Sequence, residues 1–209
     1  MNKMIKAAIF LGASLLPLSS MAMPEAFIDG VHYKATPTRL ATNDENKIEV
    51  IELFSYSCPH CFNLDPQVQL WKETLPENVT FTHVPAIFRD SWMQLARVFY
   101  AAEATGDLEK LHPLLFNAIH VEKLRLQTEE QLLDFVAKQD IDRDAFEKMM
   151  NSMTVRAKVK KALVLSQTSG ITGVPAMIVD GQYRTDAPLA GSMEDMLKTV
   201  DFLIQKESK

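Results

Sequence analysis

Cysteine is scarce in this sequence: only Cys58 and Cys61 occur among its 209 residues. A disulfide-stapled scaffold and a four-cysteine zinc site are therefore both excluded. Past its first 22 residues the chain has no run of 18 consecutive apolar residues, so no later segment is expected to span a membrane and the exported chain is expected to be soluble. There is no excess of positive charge. Lys and Arg number 22 against 27 Asp and Glu, for a formal net charge of −5, which argues against nucleic acid as a partner. No internal repeat and no low-complexity tract is present. His32, His83, His112 and His120 make no spaced doublet that would complete a metal site with the cysteine pair, so no metal is expected.

The chain begins with a short basic stretch containing Lys3 and Lys6, then an apolar run from Ala7 to Leu16 that is too short to cross a bilayer. Small residues follow at Ser20 and Ala22. That pattern reads as a cleavable secretory signal peptide over residues 1–22, with the exported chain starting at Met23. Its removal takes two lysines and leaves the rest more acidic. Export also carries the two cysteines into a compartment where disulfides persist.

Cys58-Pro59-His60-Cys61 is the stretch that carries chemistry. The apolar run Ile48–Phe54 before it reads as a buried strand, and Phe62–Leu75 after it reads as a helix. This strand–turn–Cys-x-x-Cys–helix order is the context of a redox motif. Residues three apart on a first helical turn share a face at about 5–6 Å, within reach of an unstrained disulfide. Pro59 suits the first helical position, where its missing N–H would go unpaired anyway. Cys58 then caps the helix and faces unpaired N–H groups that favour an anion, while Cys61, one turn inward, is expected to be covered. A thiol titrating near ~8.5 is about 3% ionised at pH 7, and one lowered to about 5 is almost fully ionised. A stabilised thiolate favours the reduced form and makes the disulfide a stronger oxidant. His60, between the cysteines, is expected to push the same way by donating a hydrogen bond or positive charge toward sulfur. A structural disulfide is the main rival: so short a loop would stabilise the fold by only about 2 kcal/mol. Metal binding by the lone pair is the other.

Elsewhere, Val31–Lys34 reads as a weak first strand and Val79–Val84 as a strand ended by Pro85. Pro66 is expected to kink or split the redox helix. Residues 90–168 follow a helical period throughout: Asp90 or Ser91, Thr128 (with Gln131 as a capping box), Asp142 and Thr154 are the expected caps. Ala176–Val179, Asp180-Gly181 and Gln182–Arg184 read as a hairpin, and Ser192 caps a last helix. The order gives an α/β chain: a thioredoxin fold over residues 23–89 and 169–209, opened by an all-helical insertion over residues 90–168.

The exported start, Cys58-Pro59-His60-Cys61, the helical insertion, and Thr172-Gly173-Val174-Pro175 just before the hairpin together resemble the DsbA family of periplasmic thiol:disulfide oxidants, over the whole exported chain. DsbA is itself a standard case of a low-pKa cysteine and an oxidising potential, so this resemblance and the thiolate expectation are not independent. The resemblance implies a cis Pro175 facing the active disulfide, with the backbone of Val174 holding an extended substrate. The Val-Pro form resembles the oxidant branch, where isomerases more often carry Thr-Pro. The resemblance also implies that Glu52, six residues before Cys58, is buried beneath the active site and assists proton transfer. The family's lysine on the next strand is missing here: Thr80-Phe81-Thr82-His83 offers His83 as the substitute.

The expected activity is donation of the Cys58–Cys61 disulfide to reduced, folding exported polypeptides. The catalytic residues are Cys58, Cys61, His60, Pro59 and Glu52, and Val174 and Pro175 bind substrate. No cofactor beyond the disulfide is expected. The resemblance implies a monomer in the Gram-negative periplasm, reoxidised by a DsbB-type inner-membrane quinone reductase. A disulfide isomerase or reductase of the same compartment, and a non-catalytic periplasmic chaperone, are the rival readings.

Overall fold

A computed structural model describes residues 27–208, and the expected signal peptide over residues 1–22 lies outside them. Five strands, β1 (Lys34–Ala35), β2 (Ile48–Phe54), β3 (Val79–Pro85), β4 (Ala176–Val179) and β5 (Tyr183–Asp186), form one sheet in the order β1-β5-β4-β2-β3. β2 and β3 run parallel, and the other pairings are antiparallel. The redox helix α1 (Pro59–Lys72) follows β2 directly. Between β3 and β4 the chain is helical: a 3-10 turn (Asp90–Trp92) leads into α2 (Met93–Thr105), α3 (Leu108–His120), α4 (Glu129–Ala137), α5 (Arg143–Met150) and α6 (Met153–Thr168). The short α7 (Ala187–Ala190) and α8 (Met193–Glu207) follow β5. Among the described residues, no helix is long and apolar enough to cross a membrane.

Every residue of β2 is buried, because the strand is central and both faces of the sheet are covered. Val50, with Met177 and Val179 of β4, packs under Leu64 and Val68 of α1 and Met196, Val200 and Leu203 of α8. Ile51 and Leu53, with Ala176 and Ile178, face the opposite side. The two sets follow from the two-residue period of a strand. Phe54, at the end of β2, belongs to the core of the helical block, with Phe99, Leu111, Leu115, Leu132 and Phe146. Each such side chain contributes roughly 1.5–3 kcal/mol by leaving water.

Several local expectations are corrected. Val31 and His32 form a turn rather than strand, Tyr33 makes only an isolated bridge to Asp29, and β1 is only Lys34–Ala35. α1 runs continuously through Pro66 instead of splitting. Pro66 is exposed, while Cys61, Leu64 and Val68 are buried on both sides of it in sequence, so packing holds the helix together across the missing hydrogen bond. Neither Asp90 nor Ser91 caps α2, which the 3-10 turn feeds without a side-chain cap. Ser152, not Thr154, caps α6: its backbone is extended and its hydroxyl accepts from Val155 N–H. The Thr128–Gln131 capping box and the Asp142 and Ser192 caps are present as expected. So is the hairpin. Asp180 and Gly181 have φ of 49° and 62°, and Gln182 N–H closes the turn onto Val179 O at 3.0 Å. Gly181 is further required by close approach, since a Cβ there would lie 2.3 Å from Leu40 O.

Candidate active site

The turn from β2 into α1 is held by its own backbone: Cys58 N–H donates to Ser55 O at 3.0 Å and Phe62 N–H to Cys58 O at 3.1 Å. Cys58 is the N-cap, in extended conformation, and Pro59 is the first helical residue. Cys61 N–H points at Cys58 Sγ, 3.4 Å away. The two cysteines are free thiols here, Cys58 at 9% exposure and Cys61 at 1%.

Their surroundings separate them. The Cys58 thiol is lowered from its ordinary 9.0 to about 6. The largest cause is a hydrogen bond from the Cys61 side chain; burial opposes it, and the backbone N–H groups of Cys61 and His60 and the His60 charge assist. Cys61 is pushed strongly the other way, first by burial, then by its hydrogen bond to Cys58 and by the nearby charges of Cys58 and Glu52. Sequence reasoning placed Cys58 at the cap but credited the helix end and His60, and overlooked Cys61 as the main donor.

Opposite the pair, the Val174–Pro175 peptide is cis and Pro175 is buried. Val174 O lies 3.3 Å from Cys58 Sγ and accepts the thiol proton. A groove of about 470 Å³ opens there, lined by His60, the segment 172–175, and Asp186, Pro188 and Met193. His60 is exposed on its rim. Asp186, Pro188 and Met193 escaped the sequence reading. They come from the end of β5, α7 and the start of α8, and only the return of the hairpin brings them beside Val174.

Glu52 is buried on β2, 2% exposed, and its Oε2 lies 2.9 Å from Nδ1 of His83 on β3, at an angle outside hydrogen-bond geometry. The strand register sets Glu52 directly beside His83. Beyond them lies a polar cluster whose members are far apart along the chain. Asp65 Oδ1 meets His112 Nε2 at 3.0 Å and accepts from Gln69 Nε2 at 2.9 Å. His112 Nδ1 meets the Tyr56 hydroxyl at 2.8 Å. Burial would raise the Asp65 carboxyl, yet the hydrogen bonds from His112 and Gln69 outweigh it and hold it below its ordinary value. Burial, with the Asp65 charge behind it, pushes the Tyr56 phenol well up.

This geometry has counterparts among known proteins. The family described as DSBA-like thioredoxin domain matches residues 67–200. A thiol:disulfide interchange protein DsbA of Azotobacter vinelandii is 40% identical over 210 residues, covering 99% of this chain and 98% of that protein. The protein of the same name from Pseudomonas aeruginosa PAO1 is 36% identical over 207 residues, covering 99% and 97%. The chain belongs to the DsbA-like thioredoxin family. The crystal structure of Pseudomonas aeruginosa DsbA superposes with a TM-score of 0.83 at 37% identity, over 87% of this chain and 95% of that one. That of Xylella fastidiosa DsbA gives 0.78 at 30%, over 85% and 95%. The expected α/β thioredoxin fold is thereby established, and the chain is a thiol:disulfide oxidoreductase, a protein dithiol oxidase acting by disulfide exchange with substrate proteins.

Proposed function

We propose that the chain donates a Cys58–Cys61 disulfide to reduced polypeptides in the periplasm. The observation that carries this reading is the Cys58 sulfur at the helix cap, lowered to about 6 and set beside the Val174 carbonyl. A substrate thiolate attacks Cys58 Sγ of the disulfide, and the electron pair of the broken S–S bond leaves on Cys61 Sγ, which takes a proton. A second substrate thiolate then attacks its own sulfur in the mixed disulfide. The substrate leaves with its disulfide formed, and Cys58 leaves as thiolate. Both thiols of this protein end reduced and both substrate thiols end oxidised. The last step is favoured because Cys58 is the better leaving group.

Pro59 starts the helix that presents Cys58, and His60 adds a backbone N–H and charge. Glu52 sits close enough for its charge to act on Cys61, which suits a role in moving the proton to or from that sulfur. Val174 and Pro175 receive the substrate backbone as an added strand beside the pair. No bound cofactor takes part in this scheme. The thioredoxin-like unit comprises residues 23–89 and 169–209 and the helical insertion residues 90–168. The chain acts as a monomer, is exported by residues 1–22, and is returned to the disulfide form by a DsbB-type quinone reductase of the inner membrane.

Titrating the Cys58–Cys61 couple against a glutathione buffer tests the direction. A potential as reducing as thioredoxin's, about −270 mV, would reject donation. Trapping mixed disulfides with Cys61→Ser in an exported form names the clients. Exported thiol proteins are the expected catch.

A further inference from the structure

We propose that Asp65, His83 and His112 form a binding site for a first-row transition metal ion, with zinc the best match to the donor set. The three residues come from α1, β3 and α3, and one ligand atom from each lies within 4.8 Å of the others. Zinc holds nitrogen and oxygen ligands at about 2.0–2.2 Å, which sets neighbouring ligands roughly 3.3–3.5 Å apart. His112 Nε2 and Asp65 Oδ1, at 3.0 Å, are already that close. Two histidines and one carboxylate with a position left open is a known zinc donor set.

Each histidine turns Nε2 toward the cluster, and His112 Nε2, which hydrogen-bonds Asp65 here, would release its proton on binding an ion. Nδ1 of His83 faces the Glu52 carboxylate, and Nδ1 of His112 faces the Tyr56 hydroxyl. A hydrogen-bonded outer partner, as the Tyr56 hydroxyl is to His112, fixes the tautomer and raises ligand basicity in metal sites, while Glu52 reaches His83 through its charge rather than a hydrogen bond. The Gln69 amide nitrogen, the positive end of its dipole, lies 2.9 Å from Asp65 Oδ1 and 3.5 Å from His83 Nε2. It therefore occupies the direction from which a cation would meet both. The same three residues line a cavity of about 150 Å³, ample for an ion with a water as fourth ligand. Glu109 at its edge adds negative charge and Lys72 opposes it. Three partly or fully buried groups from three elements differ from an exposed acidic cluster in that they are packed in place: Phe54 lies against both histidine rings, at 5.6 and 5.3 Å. A bound ion would tie the edge strand β3 and the redox helix to the helical block.

The test uses the oxidised protein, whose joined cysteines cannot bind zinc. Calorimetric titration with Zn²⁺ is expected to give one ion per chain and a raised unfolding temperature, and Co²⁺ is expected to give visible bands of a nitrogen–oxygen site. Asp65→Asn and His112→Gln should each weaken binding by at least about tenfold, while His32→Gln leaves it unchanged. Asp65→Asn keeps the shape of the side chain, and metal-free unfolding curves identify any variant that fails to fold. No saturable binding below about 1 mM, or binding that survives in folded Asp65→Asn, would overturn the site.

Discussion

The first turn of α1 and the two turns after it both carry polar chemistry, and they are built in opposite ways. At the first turn four consecutive residues supply nearly everything: the low-pKa cysteine, the proline that starts the helix, the rim histidine, and the covered thiol that hydrogen-bonds the first sulfur. In the next two turns Asp65 and Gln69 are only one wall of a site, and His83, His112 and Tyr56 arrive from three other segments. Local assembly makes the first site a property of sequence spacing. The second exists only once the sheet and the helical block are packed. Phe54 sits between them, in contact with Tyr56, His83 and His112.

The largest expected effect falls on the first region alone. Cys58→Ser removes the sulfur that exchanges, so oxidation of a dithiol peptide is expected to drop to the uncatalysed background. Near-ultraviolet circular dichroism from the Tyr56 and Phe54 cluster should stay as in the parent. Residual turnover in this variant would break the proposed assignment of the chemistry to Cys58.

The next concerns how strongly that region stabilises the reduced protein. Cys58 titrates at about 6 in the fold against an ordinary 9.0. Its thiolate therefore stabilises the reduced form fully above pH 9, progressively less as the pH falls toward 6, and not at all below. The full span is about 4 kcal/mol, of which roughly 1.4 kcal/mol is present at pH 7, equivalent to about 30 mV of oxidising power. Urea unfolding of the reduced and disulfide forms at pH 5, 7 and 9 reads this directly. The stability of the reduced form relative to the disulfide form must climb with pH across that range, and a flat difference would refute the thiolate argument.

What was legible follows the same division. The buried strand Ile48–Phe54, the capped redox helix, the capping box at Thr128 and the Asp180-Gly181 turn each rest on neighbours within a few residues, and all four are present. The misses are of two kinds. The caps at residues 90 and 91 failed because a 3-10 turn leads into α2 without a side-chain cap, and the cap at 154 failed because Ser152, two residues earlier, takes that place. The Asp65–His83–His112 cluster failed because a search for spaced doublets looks along the chain, whereas these ligand atoms are gathered by β2–β3 register and by α3 docking on α1. His83 beside Glu52 lay between the two: a missing lysine hinted at it, and the parallel pairing supplies it.

A smaller effect separates the regions energetically. Tyr56→Phe leaves the ring packing in place and removes the hydroxyl opposite buried His112 Nδ1. Leaving that nitrogen without a partner should cost about 1–3 kcal/mol in chemical unfolding, with the Cys58 titration still near 6. A displaced Cys58 titration would show that the second region tunes the first through Phe54, and the two would have to be treated as one site.

The smallest effect tests the rim of the first region. His60 is expected to push the Cys58 thiol toward the thiolate, and it does, but its side chain is exposed and its charge ranks last among the influences on Cys58, behind its own backbone N–H. His60→Ser keeps that N–H and the helix cap. It should therefore raise the Cys58 titration only slightly, leaving it well below 9.0, whereas Cys61→Ala removes the leading hydrogen bond and should move it much further. Thiolate absorbance followed against pH in both variants decides the order. If His60→Ser moved the titration as far as Cys61→Ala, solvent-facing charge rather than the covered thiol would govern the pair, and the closed, four-residue character of the first region would be lost.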